Sequence, residues 1–147
     1  MSHTKLIYHL VFGTKNRKMT ITQEYDRKLY AYMYGTMKND KAHVHWIGGM
    51  PDHVHVVVEI PPVISVADFV KVLKRRSGVW LKEQPEFPDW EGWAEGYAAF
   101  SCSADDLSRV VDYAKRQKEH HCVSTFREEY IKFLQECGLD YDEQYLP

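Results

Sequence analysis

Hydrophobic and polar positions in the first 60 residues follow two different periods. Residues 6–12 alternate weakly and are rich in β-forming side chains, which predicts a strand. Apolar and aromatic side chains recur three and four positions apart across residues 21–37, which is typical of an amphipathic helix. Residues 43–47 and 53–60 are again strand-like, and the Gly- and Pro-containing cluster between them can reverse the chain. This part of the sequence therefore predicts a strand, a helix and a β-hairpin, in that order.

A second helix follows, and a capping pattern marks its start. Ser65 is a plausible N-cap because Asp68 stands three positions later. Periodic apolar residues continue to about residue 81, and two prolines come soon afterwards. Because proline cannot extend a helix, we expect the helix to end before Pro85.

The remaining sequence predicts one more strand and two helices. Residues 93–101 form an aromatic strand candidate. Ser103 or Asp105 can cap a helix over about 106–120, and a last helix is expected over about 125–137. The predicted order is βαββαβ followed by two helices. It indicates an α+β fold, a ferredoxin-like antiparallel sheet with helices on one face and an additional C-terminal helical part.

Composition narrows the class of protein. The chain has 147 residues, of which 44% are hydrophobic and 27% charged, so we expect a single domain over residues 1–147. No apolar run approaches the roughly 18 residues of a membrane span, and the first residues lack the pattern of a secretory signal. These features predict a cytoplasmic protein with no membrane partner. Cys102, Cys122 and Cys137 include no C-x-x-C pair, so they indicate neither a disulfide framework nor a zinc knuckle.

Charge is distributed unevenly along the chain. The net charge of −2 is not typical of a DNA-binding protein, whose phosphate affinity comes largely from clustered Lys and Arg. Basic residues nevertheless gather in three clusters, and any one of them could simply be a solvated helix face. The candidates for contacts with a nucleic-acid backbone are Lys15, Arg17, Arg75, Arg76, Lys115 and Arg116.

His53 and His55 stand two positions apart in a predicted strand. Side chains at this spacing point to the same face of a sheet, so both imidazoles can reach one metal ion while Val54 points to the core. Two histidines on a polar sheet face would give the same pattern, and spacing alone does not separate these interpretations. His43 and His45 repeat the spacing on the neighbouring strand and are interpreted as ordinary sheet residues.

Tyr113 and Gln117 lie four positions apart in the predicted third helix and share one face of it. This offset alone is not specific, because a helical tyrosine is usually a packing residue with its hydroxyl near the surface. His120, His121 and Cys122 follow. Consecutive helical residues diverge by about 100°, so these three are not predicted to bind one ion.

The two pairs together resemble the HUH-type transposases of the IS200/IS605 group, which act on single-stranded DNA with one catalytic tyrosine. The resemblance covers nearly the whole chain. It is carried in order by residues 8–12 (YHLVF) with the basic loop after them, 47–55 (IGGMPDHVH), 93 with 96–101, 113–117 with 120–121, and 141–146 (YDEQYL).

This resemblance implies roles for four residues. In the family the His-x-His pair and the helix glutamine bind a divalent metal, and the helix tyrosine is the nucleophile. At the matching positions of this chain, the metal ligands are His53, His55 and Gln117, and Tyr113 is the nucleophile. The implied reaction is cleavage and rejoining of single-stranded DNA through a 5′-phosphotyrosine. DNA hairpins at the ends and a homodimer are the implied partners.

The implied chemistry agrees with the residue types. Mixed nitrogen and oxygen ligands admit Mg²⁺ or Mn²⁺, whereas structural zinc would more naturally use cysteine, which the motif lacks. An aryl phosphate stays reactive, so a DNA 3′-hydroxyl can reverse the first step without ATP. The sequence contains no P-loop.

A homodimer is also favoured by the strand pattern. Residues 6–12 and 93–100 are rich in apolar and aromatic side chains, and an unpaired edge of that kind is a liability unless it is covered. Residues 101–105 are small and polar, and could act as a hinge. The resemblance adds that the family pairs through its sheets and can place the tyrosine helix in trans, so we expect the Tyr113 helix to serve the His53–His55 site of the other subunit.

Three other functions stay open. A DNA-binding regulator derived from a transposase would keep the fold and the basic clusters without cleavage, although all four expected catalytic residues are present. A metal-dependent hydrolase of a small phosphate ester would use water in place of Tyr113. An HUH replication initiator or relaxase-like nuclease shares the chemistry, but these proteins generally have longer chains or a different order of histidines.

Overall fold

The fold was analysed in a computed structural model, which describes residues 3–116 together with 127, 128, 131, 132 and 135. Its main elements, in chain order, are β1 (Ile7–Gly13), α1 (Asp26–Asn39), β2 (His43–Met50), β3 (His53–Glu59), α2 (Val66–Glu83), β4 (Ala98–Cys102) and α3 (Leu107–Lys115). No helix in this part of the chain is long and apolar enough to cross a membrane.

The four strands form one antiparallel sheet. Their order across the sheet is β2-β3-β1-β4, and every neighbouring pair is antiparallel. This is the ferredoxin-like arrangement of a βαββαβ chain, so the predicted α+β fold class is confirmed. The two central strands, β1 and β3, carry most of the buried strand residues.

One face of the sheet is covered by α1 and α2. Alternate residues of the central strands point to this layer because strand side chains alternate between faces. The apolar cluster formed there contains Leu10, Phe12, Val54, Val56 and Val58 from the sheet, Leu29, Met33 and Met37 from α1, and Phe69, Val70 and Leu73 from α2. This layer is the hydrophobic core of the described part of the molecule.

The opposite face of the sheet is also buried. It carries Ile7, His9 and Val11 of β1, and the alternate residues of β3. Helix α3 lies against β2 and β3, and none of its described residues belongs to the apolar cluster under α1 and α2. We conclude that α3 covers this second face, which we call the histidine face.

The ends of two helices test the predictions from sequence. The capping prediction for α2 is confirmed, since the Ser65 side chain accepts a hydrogen bond from the backbone N–H of Asp68 at 3.1 Å. Helix α1 begins at Asp26 and not near residue 21, because a short 3-10 turn, Gln23–Tyr25, comes first.

Two predictions about the strands were wrong. The last strand begins at Ala98, not at Trp93; Trp93 forms an isolated bridge with Thr14, and its indole packs edge-on against Phe12. Strand β1 is paired on both sides and is therefore not an edge strand. Within the described residues, β4 is an edge of the sheet. The predicted helix over 125–137 and the end of the helix over 106–120 lie largely outside the described residues.

Candidate active site

The histidine face brings His53 and His55 together, as the sequence predicts. Both side chains belong to β3 and are almost completely buried, with exposed fractions of 0% and 5%. Their ring centroids are 5.0 Å apart, and the ring planes are inclined by 74°. A merely solvated polar face would leave the imidazoles exposed. Their burial therefore favours a built site over the polar-face interpretation.

Each of these imidazoles has its Nδ1 atom in a short hydrogen bond. His53 Nδ1–H donates to a carboxylate oxygen of Asp52 at 2.7 Å. His55 Nδ1 lies 2.9 Å from Nε2 of His9. Histidines that bind metal commonly hold their other ring nitrogen in a bond of this kind, which fixes the tautomer and the ring orientation. In this arrangement Nε2 is the nitrogen of each ring that could bind a metal ion.

His9 is a third histidine of the site, and no sequence motif marks it as functional. Its side chain is 1% exposed, and its ring stacks on that of His55 with centroids 5.1 Å apart. Burial lowers the pKa of His9 to about 4, so the ring is neutral near pH 7. Strand alternation puts residue 9 on one face with residues 7 and 11. The pairing of Val11 with His55, which brings His9 beside His55, depends on strand register.

The β2–β3 hairpin holds this arrangement through backbone contacts. Gly49 pairs with Val54, and a Cβ added at Gly49 would collide with the backbone of His53 and Val54. Only glycine allows the two strands to approach so closely. The backbone carbonyl of Asp52 also accepts a hydrogen bond from the N–H of Thr14 at 2.9 Å. The turn that carries Asp52 is therefore tied to both neighbouring strands.

Tyr113 lies on the half-buried side of α3. Val110 and Tyr113 are half-buried and Ala114 is buried, while Asp112 and Lys115 are exposed. Because α3 lies against β2 and β3, its less exposed side is the side that faces the sheet. Tyr113 is thus on the sheet-facing side of the helix that covers the histidine face.

The donor set for a metal is only partly within the described residues. No group of three or more His, Cys, Asp or Glu side chains in this part of the chain is arranged to hold a metal ion. His53 and His55 supply two neutral nitrogen donors. Gln117, the predicted third ligand, lies outside the described residues. Two fixed imidazoles fit a divalent ion that takes its other ligands from elsewhere.

The six basic candidates do not form one patch. Lys115 at the end of α3 and Arg116 directly after it are exposed and follow Tyr113 closely in sequence. Lys15 is exposed in the loop after β1 and Arg17 is half-buried there. The side chain of Arg17 runs past Gly13, the residue paired with His53. Arg17, Lys115 and Arg116 therefore lie on segments next to the histidine face, whereas the backbone N–H of Lys15 donates to the carbonyl of Gly92.

The other two basic candidates lie on the opposite layer. Arg75 and Arg76 are exposed on α2. Arg75 lines a groove of about 380 Å³ together with Lys82, Trp90 and Trp93. The sheet therefore separates Arg75 and Arg76 from the histidine face.

Comparisons with known proteins find similarity to transposases. The family model described as "Transposase IS200 like" matches residues 2–117. The transposase for insertion sequence element IS200 of Salmonella typhimurium is 28% identical over 126 residues, which cover 81% of this chain and 82% of that protein. The ISDra2 transposase TnpA of Deinococcus radiodurans is 26% identical over 120 residues, covering 78% of this chain and 86% of that protein.

Solved structures show the same fold. A crystal structure from Deinococcus radiodurans, described as that of a candidate transposase, has a TM-score of 0.59 and 26% identity, and covers 79% of this chain and 93% of that one. A REP-associated tyrosine transposase bound to a REP hairpin has a TM-score of 0.63 and 12% identity, covering 82% of this chain and 72% of that one. The second similarity concerns the fold alone.

Proposed function

The chain belongs to the family of IS200-like transposases, and from that premise we propose that it cleaves and rejoins single-stranded DNA through a 5′-phosphotyrosine on Tyr113. In this proposal a divalent ion, Mg²⁺ or Mn²⁺, is held by His53, His55 and Gln117. The observation that carries the proposal is the pair of buried imidazoles with fixed Nδ1 atoms. They lie on the sheet face that the Tyr113 helix covers.

In the first step of the proposed reaction, Tyr113 and the two histidines have different roles. The Tyr113 hydroxyl attacks the scissile phosphorus and loses its proton. The new tyrosine O–P bond replaces the P–O3′ bond, and the 3′-oxygen leaves with a proton. His53 and His55 orient their Nε2 atoms through Asp52 and His9. When bound there, a divalent ion would neutralise charge on the phosphate oxygens.

The second step reverses the first. A DNA 3′-hydroxyl attacks the phosphotyrosine, forms a new P–O3′ bond and releases the Tyr113 phenol. The energy of the original phosphodiester is kept in the aryl phosphate, so no nucleotide cofactor is required. A helix position on the sheet-facing side suits Tyr113 because burial excludes water that would otherwise hydrolyse the intermediate.

We infer that the substrate is a single strand with hairpin ends. The fold is shared with a transposase whose structure contains a REP hairpin, and three of the basic candidates, Arg17, Lys115 and Arg116, lie on segments next to the histidine face. Lys15, Arg17, Lys115 and Arg116 would contact the backbone near the cleaved bond. Arg75 and Arg76 would contact more distant nucleotides. Binding should weaken steeply as salt concentration rises, because phosphate contacts release counterions.

The direct test is covalent trapping. Wild-type protein is incubated with Mn²⁺ and labelled single-stranded oligonucleotides from the flanks of the element, and adducts are resolved on denaturing gels. Tyr113→Phe should form no adduct. Tyr34→Phe is the matched control, since Tyr34 is exposed on α1 in the other layer, and it should behave as wild type. Cleavage by Tyr113→Phe at the wild-type rate would instead indicate a hydrolase in which water attacks.

The homodimer is a further part of the proposal. In the single chain, α3 lies against its own β2 and β3, whereas an exchanged arrangement would place it on the partner. Two features are compatible with such an exchange. Strand β4 is an edge strand that a partner could pair with, and the connection from β4 to α3 is short and could act as a hinge. Mixing His53→Ala with Tyr113→Phe protein distinguishes the two. Recovered adduct formation after proven subunit exchange supports sharing of sites, and persistent inactivity contradicts it.

A further inference from the structure

His9 lies at the centre of the sheet and is not among the ligands or nucleophiles of the proposed reaction. Its ring contacts His55 through two nitrogens 2.9 Å apart, and its side chain is 1% exposed. The ring is also stacked nearly parallel to that of His55, at an interplanar angle of 25°. Such a close hydrogen bond between two buried rings restricts the positions of the protons.

The hydrogen bond permits two arrangements of protons between neutral rings. A neutral imidazole has one N–H donor and one acceptor nitrogen. In the first arrangement, His55 Nδ1–H donates to His9 Nε2, and the lone pair of His55 is on Nε2. In the second, His9 Nε2–H donates to His55 Nδ1, and the proton of His55 is on Nε2. Only the first arrangement leaves Nε2 of His55 able to bind a metal ion.

A comparison of His53 with His55 shows how His9 affects the tautomer of His55. Asp52 accepts from His53 Nδ1–H, and an ionised carboxylate can only accept, so the tautomer of His53 is fixed without condition. The partner of His55 Nδ1 is the imidazole of His9, which can either donate or accept. Its tautomer depends on which nitrogen of His9 carries the proton, so the two rings change tautomer together.

We propose that His9 is a positioning residue of the metal site, which accepts the Nδ1 proton of His55 and thereby turns the Nε2 lone pair of His55 towards the ion. The proposal rests on the proposed function, because it assumes that His53 and His55 are the ligands. His9 itself contacts neither the ion nor the DNA. A packing role alone would require only a side chain of similar volume, and that difference is testable.

Three variants separate positioning from packing. His9→Phe fills the space and has no acceptor for the Nδ1 proton of His55. His9→Gln places a carboxamide near the position of Nε2 and keeps an acceptor. Val57→Ala is the matched control, since Val57 is buried on the same sheet and pairs directly with His9 without a hydrogen bond from its side chain. Thermal denaturation reports the folding of each variant.

The first readout is independent of catalysis. Two-bond proton–nitrogen correlation spectra of protein with ¹⁵N-labelled histidine identify the tautomer of each ring, first without metal and then with Mg²⁺. With Mg²⁺, His55 of the wild type should be the Nδ1–H tautomer. In metal-free His9→Phe, the Nε2–H tautomer of His55 should become the major form. A wild-type His55 that stays Nε2–H with bound Mg²⁺ would overturn the proposal even if His9→Phe failed to fold.

The second readout is Mn²⁺ affinity by calorimetry. Loss of a group that orients a metal ligand typically costs 10- to 100-fold in affinity. We expect a loss of about that size for His9→Phe, recovery to within about fivefold of wild type for His9→Gln, and no change for Val57→Ala. Equal affinity and an equal His55 tautomer in His9→Phe and wild type would refute the proposal. The calorimetry contains no DNA and therefore does not depend on cleavage. If the expected Mn²⁺ affinities are found but the wild-type protein forms no covalent adduct with DNA, the proposed reaction is contradicted and the role of His9 is not.

Discussion

The two faces of the sheet are formed by alternate residues of the same strands, but different interactions hold them together. On β3, Val54 and Val56 point to α1 and α2, while His53 and His55 point to the face covered by α3. The first face is held by apolar burial, which has no preferred direction. The second contains hydrogen bonds in which one misplaced proton changes what a ring can bind. The stability of the first face therefore depends on the shape and volume of its side chains. The binding properties of the second face depend on the positions of its protons.

This difference predicts how the faces respond to substitution. An apolar core tolerates exchanges of similar volume and loses stability in proportion to the volume removed. A site of fixed hydrogen bonds loses function when a single acceptor is removed, even if the fold survives. Along β3, substitutions on the first face should therefore mainly change the free energy of unfolding, and substitutions on the histidine face should mainly change metal binding and adduct formation.

The largest effect is expected for His55→Ala compared with Val56→Ala. Loss of the His55 imidazole should reduce adduct formation by at least about 100-fold, since a metal ligand is removed. Val56→Ala should lower the free energy of unfolding by roughly 2 kcal/mol and leave adduct formation within about threefold of wild type. Urea denaturation and covalent trapping measure the two quantities. A larger loss of adduct for Val56→Ala than for His55→Ala would contradict the assignment of the metal site to the histidine face.

A smaller effect is expected for Asp52→Ala. This change removes the acceptor for His53 Nδ1–H but leaves the ligand itself in place. Mn²⁺ affinity, measured by calorimetry, should fall about 10- to 100-fold. Asp52→Asn keeps one acceptor oxygen and should lose less. If Asp52→Ala bound Mn²⁺ as tightly as wild type, the contact with His53 would have no part in orienting the ligand.

The smallest effect is expected far from the histidine face, at Gly35 of α1. A Cβ added there meets nothing within 4 Å, and the residue is exposed in the middle of the helix. Gly35→Ala should therefore raise the free energy of unfolding by roughly 0.5–1 kcal/mol, with Mn²⁺ affinity unchanged. Destabilisation on urea denaturation would show that the helix layer is less tolerant than proposed.

Local pattern in the sequence predicted the features that depend on local geometry. The shared face of His53 and His55 follows from their spacing on a strand, and the cap at Ser65 follows from the position of Asp68. The roles of Tyr113 and Gln117 came from family resemblance and stay predictions, because spacing on a helix does not specify chemistry.

Features that depend on pairing between distant segments were missed. His9 became part of the site only through the register of β1 against β3, which no local pattern contains. The start of the last strand was misplaced because the aromatic Trp93 is typical of strands, yet here it packs on Phe12 beside the sheet. The interior position of β1 likewise depends on topology.

We propose above that the histidine face binds a divalent ion through His53 and His55. Pulsed electron paramagnetic resonance on Mn²⁺-loaded protein with ¹⁵N-labelled histidine tests it most directly, because couplings from bound histidine nitrogens are resolved. We predict coupling to two histidine nitrogens in wild type and in Val56→Ala. His53→Ala and His55→Ala should each bind Mn²⁺ weakly and retain at most one. Spectra without histidine coupling in wild type, or unchanged two-nitrogen spectra in both histidine variants, would contradict the account.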